Sequence, residues 1–116
     1  MMDTAFVIMW TTPFPGRERQ ALELGAEAGE YWGVQANDGR CTAPEWFFLS
    51  NGTAIWLVKG ERRVLEELVT SDTSRRLLAK GALLLRDWRY SFAETAGGAE
   101  RYMGEYGSMA QELGLL

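Results

Sequence analysis

Ala5-Phe6-Val7-Ile8-Met9-Trp10, followed at once by Thr11-Thr12 and Pro13-Phe14-Pro15-Gly16, is the stretch from which the rest of the chain can be read. The apolar run is too short for a free-standing helix, lacks the alternation of a half-exposed strand, and is closed by a Pro/Gly break. It therefore predicts a short β-strand buried on both faces. Such a strand needs cover on two sides. In a chain of 116 residues the helices suffice for one side of a small sheet, which leaves the other side for a partner chain, a ligand, or both.

Outward from that strand, Ala21, Leu24, Gly25, Ala28, Tyr31 and Trp32 recur at three- and four-residue steps. They predict an amphipathic helix from Arg17 to about Trp32, with Pro15 near its start and Asn37-Asp38-Gly39 beyond its end. Asn51-Gly52 is a two-residue hairpin signal joining a second strand, about Glu45 to Ser50, to a third, about Thr53 to Lys59. The same letters spell an Asn-Gly-Thr glycosylation acceptor, but without a secretory signal the turn is the preferred reading. Val64, Leu65, Leu68 and Val69 form the buried stripe of a helix from about Glu61, interrupted at Thr70-Ser71-Asp72. Ser71 or Asp72 then caps a further helical segment carrying Leu77, Leu78, Gly81 and Ala82. A fourth strand, roughly Arg86 to Glu94, points Trp88, Tyr90 and Phe92 one way and Asp87, Arg89, Ser91 and Ala93 the other. After a Gly97-Gly98 break, Ala99, Tyr102, Met103, Tyr106, Met109, Ala110 and Leu113 make an amphipathic C-terminal helix that needs a surface to lie on.

Composition bounds the chemistry. With 47% hydrophobic and 24% charged residues the chain reads as one globular domain over residues 1–116. Its apolar runs fall well short of the roughly 20 residues that cross a bilayer, and no basic stretch precedes an apolar one, so a cytoplasmic protein is expected. The net charge of −4 and the lack of a basic stripe argue against nucleic acid. The chain has no histidine, which removes the Ser-His-Asp triad, the Cys-His pair and His-ligated zinc or haem. Lone Cys41 cannot form an intrachain disulfide and has no imidazole to activate it. No phosphate loop, nucleotide fingerprint, zinc cluster or calcium loop occurs, so neither metal nor cofactor is expected.

The order strand, helix, strand, strand, helix, strand, then an added helix, is the split βαβ arrangement of an α+β, ferredoxin-like fold. Its four-stranded antiparallel sheet carries both main helices on one face, and right-handed crossovers put the first and third strands in the centre. Both central strands are apolar on both faces. The uncovered face thus exceeds what monomers usually leave in water, and a homodimer through the sheet is expected.

The βαββαβ order, the doubly apolar central strands and the broken second helix Ser71-Asp72-Thr73-Ser74-Arg75-Arg76-Leu77-Leu78 resemble the dimeric α/β-barrel superfamily, which includes antibiotic-biosynthesis monooxygenases and many uncharacterised bacterial proteins. The resemblance covers nearly the whole chain. It implies two sheets facing each other in a homodimer, with a pocket between sheet and helices in each protomer. Members of the superfamily include cofactor-independent oxygenases, haem-degrading enzymes, isomerases and proteins with no known activity. Haem-dependent members use a histidine, which this chain lacks, and oxygenase members commonly place an asparagine in the pocket. Asn37 and Asn51 fall instead in a predicted loop and turn.

Candidate pocket residues are Trp10, Trp46, Trp56 and Trp88 on strands, with Trp32 at a helix end. Glu45 and Asp87 are added because the polar side of the fourth strand can turn into the barrel. Arg89 and Tyr90 are the candidate catalytic groups, Arg89 for orienting an anionic or phenolic ligand and Tyr90 for donating a proton. Edge-strand protection explains the same charges, and core packing the same aromatics. The small-residue stripe Ala21, Gly25, Gly29 and Gly33 suggests close approach of something bulky to the first helix. Three readings of function result: a homodimer binding a small apolar or aromatic molecule without catalysis, a cofactor-independent monooxygenase or isomerase, and a purely structural dimer.

Overall fold

A computed structural model describes residues 2–116. The apolar opening run forms β1 (Thr4–Trp10) and is followed by α1 (Glu18–Asn37), β2 (Glu45–Phe48) and β3 (Ala54–Gly60). Then come α2 (Arg62–Val69), α3 (Asp72–Leu84), β4 (Arg89–Glu94) and α4 (Ala96–Glu112). The sheet order is β2-β3-β1-β4 with every neighbouring pair antiparallel, so the two doubly apolar strands are central as expected.

Register and burial tell the two faces of the sheet apart. Phe6 and Ile8 of β1 pair across to Val58 and Trp56 of β3, and all four are buried in the core beneath the helices. Phe6, Val58 and Leu65 are almost completely inaccessible, and each stabilises the fold by about 1.5–3 kcal/mol through removal of apolar area from water. Trp32 of α1 stacks on Phe6 at 6.1 Å between ring centroids and meets Trp56 edge-on at 5.4 Å. Alternation then places Val7 and Met9, with Ile55, Leu57 and Phe47, on the opposite face, which no helix of the described chain covers. Phe47 is 44% exposed there.

Helix ends follow local chemistry. Ser71 caps α3 by accepting a hydrogen bond from the Ser74 amide at 3.2 Å, choosing between the two candidate caps. Gly39, at φ +75°, stops α1: its amide donates to Ala36 O and that of Arg40 to Gln35 O, a Schellman closure. The helix therefore runs to Asn37, five residues beyond the aromatic stripe that marked its predicted end.

Three other boundaries differ from expectation. The β2–β3 loop has three residues, since the Leu49 amide bonds Thr53 O and Gly52 takes φ +90°; Asn51 Oδ1 accepts from the Thr53 amide inside the turn. β4 starts at Arg89 instead of Arg86 because Asp87 adopts φ +57° and breaks the strand, while residues 84–86 bond to Thr11, Thr12 and Phe14. Gly97-Gly98 does not interrupt the chain but lies in the first turn of α4. Gly98 is there for contact: a Cβ on it would stand 2.6 Å from Asp3 O and 2.4 Å from a Glu94 carboxylate oxygen.

Candidate ligand pocket

Between the helix-covered face of the sheet and the paired helices α1 and α3 lies a cavity of about 420 Å³, within the usual range for small-molecule sites. Its sheet side is built from Ile8, Trp10, Trp46, Phe48 and Trp56. Its helix side comes from Ala21, Leu24, Gly25, Ala28 and Trp32 of α1 and from Ser74, Leu77 and Leu78 of α3. Pro13, Leu85 and Trp88 close one end, where Pro13 and Leu85 form an isolated antiparallel bridge. The space exists because α1 turns small residues towards large strand aromatics. A Cβ on Gly25 would lie 4.0 Å from Trp46 Cη2, so a longer side chain at that position would enter the cavity.

Trp88 is positioned by two devices. The left-handed turn at Asp87, whose carboxylate accepts from the Thr11 hydroxyl at 2.7 Å and whose carbonyl accepts from Arg89 at 2.8 Å, delivers the indole to the end of the cavity. There the ring lies on the backbone of α3 at Gly81, where a Cβ would come within 2.2 Å of Trp88 Cη2 and Cζ2. Trp10 packs between Trp88, at 6.4 Å, and Trp46, at 6.1 Å, making an aromatic wall.

Polar groups in the lining are few. Glu18 is its only ionisable side chain, exposed in the first turn of α1 with Oε1 accepting from the Gly16 amide at 3.1 Å. The indole nitrogens of Trp56 and Trp88 are shut off from solvent and have no acceptor among the described residues. An unmet buried donor costs about 1–3 kcal/mol, so the aromatic wall is held by packing against that penalty. Among the described residues no lysine or arginine lines the cavity, so an anionic guest would find no cationic side chain to offset the loss of its water. Among the described residues no cluster of His, Cys, Asp and Glu could hold a metal ion. Cys41 is buried in the core, and burial pushes its thiol up, away from thiolate chemistry.

The sequence candidates separate into two groups. Trp10, Trp46, Trp56 and Trp88 all line the cavity, joined by Trp32. Glu45 lies opposite Leu57 on the open side of the sheet, with a carboxylate oxygen 3.8 Å from Lys59 Nζ. Asp87 is the turn residue just described, and Arg89 stands on the open face, bonded to the Asp87 carbonyl. Tyr90, 48% exposed, packs edge-on to Phe6 at 5.8 Å and to Trp88 at 6.3 Å without lining the cavity. Of the small stripe on α1, Ala21 and Gly25 face the cavity, whereas a Cβ on Gly29 or Gly33 would meet open space. The α3 wall, Ser74, Leu77 and Leu78, was not marked as pocket-forming by the sequence. Its three-residue steps signal only a buried stripe.

No protein-family model matches the chain, and no curated protein matches its sequence. Solved structures do match. Rv0793 from Mycobacterium tuberculosis superposes with a TM-score of 0.59 at 19% identity, over 80% of this chain and 95% of its own. SnoaB, a cofactor-independent oxygenase from Streptomyces nogalater solved as a mutant, gives 0.64 at 7% identity, over 82% and 94%. A protein described as an antibiotic biosynthesis monooxygenase gives 0.57 at 17% identity, over 79% and 98%. The chain shares the α+β, ferredoxin-like fold of these solved structures.

Proposed function

We propose that this chain is a homodimeric binding protein for a small, uncharged, apolar or aromatic molecule held between sheet and helices. The cavity carries the reading: about 420 Å³ of space walled by tryptophans and aliphatic side chains, with its single ionisable group at α1's exposed first turn. Burial of the guest's apolar surface supplies the affinity, and the ring faces of Trp10, Trp46 and Trp88 favour a planar body. A purely structural protein has no need of that space, which its own side chains leave unfilled. The second copy covers the open face of Val7, Met9, Ile55, Leu57 and Phe47, whose edges carry Glu45, Lys59 and Arg89.

Likeness to SnoaB favours a second reading, a cofactor-independent oxygenase. With no general base in the cavity interior, the guest would have to react through its own ionised form. The protein would then supply shape and exclusion of water.

Titration with N-phenyl-1-naphthylamine, a neutral dye that brightens on apolar burial, tests the binding reading. One dye per chain is expected, with at least tenfold weaker binding in Gly25→Phe, whose ring would fill the cavity. Equal binding by both proteins would remove the cavity as the site. Oxygen uptake with phenols and quinols, abolished by the same substitution, would convert the reading to the enzymatic one.

A further inference from the structure

The side chains that wall the cavity lie at very different depths. Trp32, Trp56, Ser74 and Leu77 are buried, whereas Leu22 is 79% exposed and Phe48 75% exposed, although both belong to the same lining. Trp46 and Glu18 are exposed beside them. This gradient gives the cavity a closed interior against Trp32 and Trp56 and an open mouth between the first turns of α1 and strand β2. Both sides of the mouth follow from local structure. Glu18, Ala21, Leu22 and Gly25 fall on one stripe of α1, at three- and four-residue steps. Trp46 and Phe48, two apart on β2, share a face of the strand and stack at 6.4 Å between ring centroids, with their planes 15° apart. β2 is an edge of the sheet, and among the described residues no strand lies beyond it to close the gap.

We infer that the guest is an aromatic body carrying an uncharged, unbranched apolar tail, the body held in the interior and the tail leaving over the β2 edge between Leu22 and Phe48. The inference rests on the binding reading above, and it makes Leu22 and Phe48 the residues that select tail length. The interior is walled by the rings of Trp10, Trp32 and Trp56, which favour a planar group. From there to solvent the lining stays aromatic: Trp10 meets Trp46 edge-on, and Trp46 stacks on Phe48. A guest that ended inside would leave Leu22 and Phe48 in water, and one that extends takes their apolar surface out of it. At Gly25 the helix comes close enough to Trp46 that even a Cβ would stand 4.0 Å from its ring, which narrows the way out and favours a single chain over a second ring. The mouth's one charge is the Glu18 carboxylate, held by the Gly16 amide, and among the described residues no lysine or arginine lines the cavity. A tail ending there in a carboxylate, as a fatty acid does, would meet a like charge and no cation.

Displacement of N-phenyl-1-naphthylamine by 4-ethylphenol and by 4-heptylphenol, both uncharged at neutral pH, tests the inference on the full chain. Each methylene taken out of water is worth about fourfold in affinity, so the longer tail, even half covered, is expected to bind at least ~30-fold tighter. Combining Leu22→Gln with Phe48→Thr keeps helix and strand propensity at two exposed positions, and is expected to cut that ratio at least tenfold. A bimane label on Leu22→Cys, with Cys41 buried away from the reagent, is expected to change its emission with 4-heptylphenol and not with 4-ethylphenol. An undiminished ratio in the double variant, or a label that answers both phenols equally or neither, would overturn the tail and leave the cavity as the site. So would equal affinity of the two phenols for the wild type. No displacement by either phenol, together with dye binding indifferent to Gly25→Phe, would remove the cavity as well.

Discussion

Trp88 shows how much a single residue depends on neighbours that the sequence does not place beside it. As a strand aromatic it is an obvious packing residue, and its side of β4 follows from alternation. Its seat does not. Gly81 belongs by spacing to the buried stripe of α3, and only the tight path through Leu85, Arg86 and Asp87 brings the indole back over that glycine. Asp87 was legible as a polar group on the other face of a strand, whereas its φ of +57° makes it the turn that aims Trp88. Gly81→Ala is therefore expected to destabilise the protein by about 1–3 kcal/mol in urea unfolding, because the added methyl must displace a packed ring. It should also shift the tryptophan emission of the native state. Wild-type stability and an unchanged spectrum would show that the indole does not rest on that backbone.

Elements were more legible than single residues, for a physical reason. The helix period is written in α1, α2 and α3, since one face of each must be apolar to build the core, and β1 and β3 are marked by short unbroken apolar runs. What the periods do not carry is where backbone conformation changes hand. Gly52 and Gly39 act as turn and cap, as their neighbours suggest, but Gly98 serves close contact within a helix and not a break. The stripe Ala21, Gly25, Gly29 and Gly33 divides in the same way: its first half makes room for the cavity, and its second half faces nothing. Gly29→Ala and Gly33→Ala should each stabilise the protein by about 0.5–1 kcal/mol, the propensity difference with no steric penalty. Urea midpoints that fall in either variant would reveal a neighbour at that surface in solution.

At the scale of the whole molecule the opening strand has two different duties. Phe6, Ile8 and Trp10 face the helices, the first two completing the core and Ile8 and Trp10 lining the cavity. Val7 and Met9 face away, onto the part of the sheet that no helix covers. The fold and the aromatic half of the pocket were readable because burial is encoded in composition. The polar candidates Glu45 and Arg89 were not separable from edge-strand charges, because side assignment in a twisted sheet depends on register that only pairing reveals. Two apolar faces on one central strand call for a second copy of the chain over the open one. Light scattering at micromolar concentration measures it most directly. A homodimer gives twice the 13.0 kDa chain mass for the wild type and a shift to the single-chain mass when Leu57→Asp places a charge in the open face. A wild-type particle of 13.0 kDa would contradict it.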